Sequence, residues 1–343
     1  MGQRLVAVMV SVVMMLVVSP PAVAGAVETS AADATVTRVA GTDRVGTAVA
    51  ISQAAFPTGA PCVLIASSEN WPDALSGSAL AGAVGGPILL TRPTTLPSAV
   101  ADEVRRLRAP SVIVLGGTGA VSDAVAVALG KITGVTKVER IGSTNRYTTS
   151  YAIGQRVRAL ARNPVAFVAT GESFPDALAA APMAARYGQS IQLMPPQAEL
   201  QSALLERIRV EGITGVEILG GTGALSASFE QMVRSRLSYV KRLGGPTRYD
   251  TAAVVATFFT TTEDFRWNGV AVASGEAYPD ALTGGVMQGR VGAPLLLTLP
   301  TTLHLSTERV LANNSQTITQ ARIFGGTGAV SDWAQQLTLR AIQ

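Results

Sequence analysis

The chain is 343 residues long, 48% hydrophobic and 15% charged, with a formal net charge of +4. That charge is too mild to announce a nucleic-acid partner. One cysteine, Cys62, excludes an internal disulfide, and with His304 as the only histidine it leaves no zinc site of the usual Cys/His kind and a single candidate for a histidine-based triad, in a different segment from any Ser or Asp pattern. Cys62 itself sits in an apolar run and reads as a small buried hydrophobe.

The N-terminus carries Arg4, an apolar run from Leu5 to Val18, Pro20, Pro21 and the small residues Ala22, Val23 and Ala24. This is the pattern of a secretory signal cleaved after Ala24. The run is too short to span a bilayer and is followed by prolines, so the mature protein is expected outside the cytoplasm with no membrane anchor. Residues 25–37 are Ala- and Thr-rich and read as a linker. Lysines occur only at 131, 137 and 241. An arginine-dominated basic set suits planar bidentate partners such as phosphate or carboxylate, and equally reflects a GC-rich coding bias.

From Arg38 onward, four anchors recur three times in one order. Arg38-Val-Ala-Gly-Thr-Asp-Arg44 returns as Arg140-Ile-Gly-Ser-Thr-Asn-Arg146 and Arg242-Leu-Gly-Gly-Pro-Thr-Arg248. Ser68-Glu-Asn-Trp-Pro-Asp-Ala-Leu75 returns as Gly171-Glu-Ser-Phe-Pro-Asp-Ala-Leu178 and Gly275-Glu-Ala-Tyr-Pro-Asp-Ala-Leu282. Pro87-Ile-Leu-Leu-Thr91 matches Pro294-Leu-Leu-Leu-Thr298 well and Ser190-Ile-Gln-Leu-Met194 poorly. Leu115-Gly-Gly-Thr-Gly-Ala-Val-Ser122 returns as Leu219-Gly-Gly-Thr-Gly-Ala-Leu-Ser226 and Phe324-Gly-Gly-Thr-Gly-Ala-Val-Ser331. These steps divide the chain into units 38–139, 140–241 and 242–343.

Within unit 1, Cys62–Ala66, Ile88–Leu90 and Val112–Leu115 are short apolar runs without polar alternation, as strands covered on both faces must be. Pro72–Val84, Pro97–Leu107 and Ser122–Leu129 carry Ala, Leu and Val at helical spacing. The alternation predicts α/β units, each a small doubly wound parallel sheet of Rossmann- or Toprim-like type. Units 1 and 2 run into the Arg-x-x-Gly segment of the next unit, whereas unit 3 stops at Gln343. If that segment is a strand completing the preceding sheet, the one near Val36–Val39 closes unit 3 and makes a ring; pairing of residues 35–40 with unit 1 would exclude this.

Taken together, the four motifs resemble the cell-wall-binding repeat 2 family over residues 38–343. The resemblance implies three domains around a pseudo-threefold axis that hold a surface protein non-covalently to an anionic polymer of the Gram-positive wall. Family members often carry a further effector domain, for which this chain leaves no room. The Pro-Ile-Leu-Leu-Thr segment is associated with wall binding in the family, yet its residues read as a buried strand, so its role is expected to run through the fold.

Ligands of open parallel sheets sit at the carboxyl ends of the strands. This edge holds Gly117 and Thr118, Gly221 and Thr222, and Gly326 and Thr327, in loops that approach a ligand closely or form plain strand-to-helix turns. Ser122, Ser226 and Ser331 are predicted N-caps. The third glycine of a dinucleotide fingerprint and its acidic partner are missing, so no cofactor is implied. Asp73, Asp176 and Asp280 each follow a proline and pair in sequence with Glu69, Glu172 and Glu276; the pairs suit a glycosidase, and Pro-Asp equally suits the first turn of a helix. Trp71, Phe174 and Tyr278 stack on a sugar ring or pack over the helix start. Arg44, Arg146 and Arg248 meet polymer phosphates or carboxylates, or, in the reading preferred here, pair with acids of a neighbouring unit. Unit 2 departs at Ser190, Gln192 and Ala227, which marks it as a weak binder or spacer.

The expected function is binding rather than catalysis, since three similar sites at fixed spacing suit a repeating polymer. Its partner is a wall anionic polymer or peptidoglycan glycan, the latter also the substrate if the Glu/Asp pairs make a secreted hydrolase. A self-assembling surface protein is the third reading.

Overall fold

A computed structural model describes residues 34–70 and 72–343. The signal segment over residues 1–24, the start of the linker and Trp71 lie outside the described residues.

Chain order begins with a strand, β1 (Thr35–Val39), followed by α1 (Arg44–Ala55), β2 (Cys62–Ser67), α2 (Pro72–Val84), β3 (Ile88–Thr91), α3 (Ser98–Leu107), β4 (Ser111–Leu115), α4 (Asp123–Gly130) and β5 (Lys137–Ile141). The second repeat supplies α5 (Arg146–Ala161), β6 (Val165–Thr170), α6 (Pro175–Ala179), α7 (Ala181–Tyr187), β7 (Ile191–Met194), α8 (Ala198–Val210), β8 (Gly215–Leu219), α9 (Ala227–Arg234) and β9 (Tyr239–Leu243). The third supplies α10 (Arg248–Thr262), β10 (Ala271–Ser274), α11 (Pro279–Val291), β11 (Leu295–Thr298), α12 (Leu305–Asn313), β12 (Gln320–Phe324) and α13 (Asp332–Ile342).

Among the described residues the strands form three four-stranded sheets, each wholly parallel: β3-β2-β4-β5, β7-β6-β8-β9 and β11-β10-β12-β1. The strand opening each repeat therefore completes the sheet of the repeat before it. At the start of the chain, β1 pairs with β12 of the last unit, Val36 opposite Ala321 and Val39 opposite Phe324. The ring is closed by β1, the first strand among the described residues, as the orphan-strand argument requires. The linker drawn over 25–37 is corrected at its end, because Thr35, Val36 and Thr37 are sheet residues whose ladder partners are Gln320, Ala321 and Arg322. A Thr-Val-Thr run is good strand sequence once a free edge is offered to it.

Helix starts follow the sequence chemistry. Ser122, Ser226 and Ser331 each accept the backbone N–H three residues on, and Asp43, Asn145 and Thr247 cap the first helix of each repeat. In unit 2 the helix after the Pro-Asp motif is split into α6 and α7. Pro182 stands seven residues after Pro175, where the continuous α2 and α11 have Ala79 and Val286. Its missing N–H and its ring break the helix there.

Strands β2, β3 and β11 are buried along their whole length. Each such Leu or Ile contributes about 1.5–3 kcal/mol on leaving water. Helices α2, α7 and α11 touch one another pairwise around the centre of the ring. They are rich in Ala, Gly and Ser and buried on nearly every side, unlike an amphipathic surface helix. Through them the inner faces of the three sheets merge into one hydrophobic cluster, with separate clusters beneath the outer helices of units 2 and 3.

Candidate functional site

Each sheet has the spatial order 2-1-3-4, so its topological switch point falls between the first and third strands, at β2/β4, β6/β8 and β10/β12. Beyond the carboxyl ends of these strands, three segments converge: the start of the Pro-Asp helix, the Gly-Gly-Thr-Gly loop, and the loop leading into the next repeat. Between units 1 and 2 they enclose a cleft of 380 Å³ lined by Asp73, Gly117, Thr118, Gly119, Ser143 and Arg146. The corresponding cleft between units 2 and 3 has 240 Å³ and is lined by Asp176, Gly221, Gly223, Gly245, Thr247 and Arg248. At the third joint Asp280 lies against Gly325, and Gly326 lies near the carbonyl of Gly41.

The first glycine of each loop is fixed by geometry. Gly116, Gly220 and Gly325 have φ of +94, +92 and +106°. A side chain there would also collide with the carboxylate of Asp73, Asp176 or Asp280, whose Oδ2 lies 2.1–2.4 Å from the position a Cβ would take. Glycine thus permits both the left-handed turn and the approach of the carboxyl group. The threonines that follow, Thr118, Thr222 and Thr327, are exposed on the outer lip.

The aspartates are drawn in under the loops while Glu69, Glu172 and Glu276 stay exposed, so the two carboxylates of each sequence pair occupy different environments. Burial, together with the hydrogen bond its hydroxyl donates to Glu172, pushes the Tyr147 phenol up to about 12. Burial raises the carboxyls of Asp73, Asp176 and Asp280 above the ordinary range, opposed by Arg146, Arg248 and Arg44 respectively. Every aspartate is therefore attracted by the arginine of the next repeat, and the third by that of the first. The same guanidinium groups donate to backbone carbonyls: Arg44 to Ser68 at 2.8 Å, Arg146 to Gly171 at 2.6 Å and Arg248 to Gly275 at 2.7 Å.

A second arginine stitches each joint. Arg38 donates to the carbonyls of Gly325 and Val330, both at 2.8 Å, and pairs with Asp332. Arg140 donates to Gly116 and pairs with Asp123. Arg242 donates to Gly220 and Leu225 and pairs with Glu230, which takes over because Ala227 stands where the other units have aspartate.

Phe174 and Tyr278 meet edge to face, with ring centroids 5.9 Å apart. Tyr278 is buried and gives its hydroxyl to the carbonyl of Ser68 in unit 1 at 2.7 Å. These rings join neighbouring units, and Tyr278 leaves no open face for a sugar. Trp71 lies outside the described residues.

Asp280 yields a pH prediction. Its carboxyl is pushed up to about 6 by burial, and Oδ1 has no hydrogen-bond partner among the described residues. A folded value about two pH units above the ordinary 3.8 corresponds to about 3 kcal/mol. The folded chain holds the proton more tightly than the unfolded chain. The group therefore opposes folding in full above about pH 6, less as pH falls towards 4, and not below that. Asp280→Asn is expected to raise the melting temperature by several degrees at pH 7.5 and hardly at all at pH 4. Equal shifts at the two pH values would show that Asp280 ionises like an exposed carboxyl.

The loops at the switch points, repeated around a closed ring, define a class: a threefold-repeated α/β module with the same aspartate, glycine loop and arginine at each joint and a cleft over two of them. The family model for Cell wall binding domain 2 (CWB2) matches residues 38–126, 140–230 and 242–335, and the chain belongs to that family. It is 30% identical over 305 residues to the N-acetylmuramoyl-L-alanine amidase LytC of Bacillus subtilis (strain 168), covering 89% of this chain and 58% of that one. The Amidase enhancer of the same organism is 28% identical over 259 residues, covering 76% and 34%. Cwp8 from Clostridium difficile superposes with a TM-score of 0.77 at 26% identity, over 90% of this chain and 51% of that one. Cwp6 from the same organism has the same fold, with a TM-score of 0.82 at 24% identity over 91% and 48%. The chain thus spans between a third and three fifths of these proteins' lengths.

Two unit-2 features were not found by sequence reasoning. The connection from Met194 to Ala198 is three residues shorter than those from Thr91 to Ser98 and from Thr298 to Leu305. In units 1 and 3 the longer loop reaches the Gly-Gly-Thr-Gly turn, Ser122 N–H donating to Pro93 and Ser331 N–H to Pro300. In unit 2 that space is a cleft of 480 Å³ lined by Glu172, Ser173, Pro196, Gln201, Thr222 and Phe229. The second feature is a carboxylate, Glu217, inside β8. Both signals were present, one as a gap in the repeat alignment and the other as an acid within an apolar run.

Proposed function

We propose that this protein is a wall-anchoring module that binds an anionic polymer of the Gram-positive cell wall along the carboxyl edge of its three sheets, after export through the signal over residues 1–24. The observation that carries this reading is the recurrence of one loop, aspartate and arginine at all three joints of the ring, with a cleft over them between units 1 and 2 and between units 2 and 3. Weak contacts repeated at fixed spacing suit a repeating polymer, because each bound segment raises the effective concentration of the next at the neighbouring site. Exposed Thr118, Thr222 and Thr327 with their flanking glycines offer hydroxyls and open backbone to a sugar or phosphate. Glu69, Glu172 and Glu276 stay in solvent while their aspartates serve the joints, so binding fits the site better than hydrolysis.

Gly119, Gly223 and Gly328 give a direct test, because a Cβ at any of them meets nothing within 4 Å. The triple variant Gly119→Glu, Gly223→Glu, Gly328→Glu is expected to fold with an unchanged melting temperature. It should lose at least about tenfold in co-sedimentation with purified walls through like-charge repulsion. Mild acid stripping of anionic polymers from the walls should abolish binding of the unaltered protein. Binding that persists on stripped walls, or solubilised wall material, would replace this reading by peptidoglycan recognition or hydrolysis.

A further inference from the structure

On the opposite, amino-terminal edge of the unit 2 sheet lies a cavity of 380 Å³ lined by Asn163, Tyr187, Gln189, Glu217, Tyr239, Phe259 and Glu263. Its floor is Glu217, which is 5% exposed. At the same place in the central strand, unit 1 has Ile113 and unit 3 has Arg322, whose guanidinium is held by the carbonyl of Gly269. The fold accepts an aliphatic residue there, so the carboxylate is not required to build the sheet. An apolar side chain also avoids the desolvation cost of a buried acid.

Glu217 is oriented rather than neutralised. Gln189 Nε2 donates to Oε2 at 2.7 Å and Tyr239 Oη to Oε1 at 3.1 Å, both neutral donors. Burial raises its carboxyl, with the charge of Glu263 adding to the rise. Other charged groups nearby are engaged elsewhere: Lys241 lies over the ring of Phe258, and Arg186 pairs with Asp264, which also takes the hydroxyl of Tyr187. The walls are aromatic in a protein whose aromatic content is only 5%. Tyr187 stacks with Phe259 at 6.2 Å between centroids and leans on Phe265.

We propose that this cavity binds a protonated amine, with the ammonium group on Glu217, Glu263 at the mouth, and the rings of Tyr187, Tyr239 and Phe259 around its carbon substituents. A desolvated carboxylate with aromatic rings lining the same cavity is an environment that favours an organic cation over a neutral analogue. A primary ammonium group on a compact carbon body is common to amino sugars and amino acid esters, and two probes separate these sources. The site lies on the other edge of the sheet from the clefts assigned to the polymer, so its failure and theirs are read independently.

The test is titration of the protein, followed by tyrosine fluorescence and isothermal calorimetry, with glucosamine hydrochloride, D-alanine methyl ester and, as the neutral control, N-acetylglucosamine. At least one amine is expected to bind about tenfold or more tighter than N-acetylglucosamine, the preferred one identifying the source. Glu217→Gln and Glu217→Ile are expected to abolish that preference, the second placing in unit 2 the kind of residue unit 1 carries. Both variants should fold, and their wall co-sedimentation should stay that of the parent. Amines no better than the neutral sugar, or a preference that survives in Glu217→Gln, would overturn the proposal.

Discussion

Arg38→Ala is expected to destabilise the protein by about 3–5 kcal/mol although residue 38 belongs to a five-residue strand at the start of the described chain. Its guanidinium donates to the carbonyls of Gly325 and Val330, at the far end of the sequence, and its side chain is only 18% exposed. Hydrogen bonds from a charged donor contribute about 1.5–3 kcal/mol each, and truncation also leaves the two carbonyls to find other partners in a half-buried joint. The ion pair with exposed Asp332 adds little. Hydrogen exchange should locate the damage in β12, more than 280 residues away, and in the turn from Gly325 to Val330. Chemical denaturation gives the magnitude. A loss under about 1 kcal/mol, with β12 amides as protected as before, would show that the ring does not depend on its first strand for closure.

That closure was legible because repeats make a missing part visible. Three segments opening on Arg38, Arg140 and Arg242 and three sheets leave one segment unassigned at the start and one vacant edge at the end, and only a ring satisfies both. Strand and helix positions in unit 1 were equally legible, Pro72–Val84 being the observed α2 and Cys62, Ile88 and Leu115 lying in the predicted strands. The roles of Phe174 and Tyr278 were not. A sequence shows that an aromatic recurs before a proline, but whether its ring meets water or another copy of itself depends on how the units are placed about the axis. The arginines were half legible: their joint role follows from repetition, whereas their backbone acceptors follow from loop shape. Glu217 was missed because one acid in Gly-Val-Glu-Ile-Leu does not reveal whether the strand end is wet or covered, and the helix covering it comes from the next repeat.

Gly82→Ala opposes two effects of different size at the ring centre. In an ordinary helix the change stabilises by about 1 kcal/mol, since alanine orders more easily than glycine. Here a Cβ would lie 1.7 Å from the carbonyl oxygen of Ala185 and 2.4 Å from its carbonyl carbon, atoms of the α7 backbone that cannot rotate aside. Ten residues after the motif proline, the three central helices carry Gly82, Ala185 and Gly289, and a Cβ on Gly289 would lie 2.8 Å from that of Ala185. The contact thus accommodates one methyl group among the three. A second forces α2 off α7 or strains both, at a typical cost of 1–3 kcal/mol and more where backbone must move. The net expectation is a destabilisation of about 3 kcal/mol, with Gly119→Ala, in open space, as the near-neutral control. Ala185→Gly, which removes the one methyl, should cost only about 1 kcal/mol through lost helix propensity and a small void. If Gly82→Ala stabilised the protein as a surface replacement would, the central helices would have to stand further apart than the packing described, and the ring would be held by its shared strands, arginine joints and aromatic contacts.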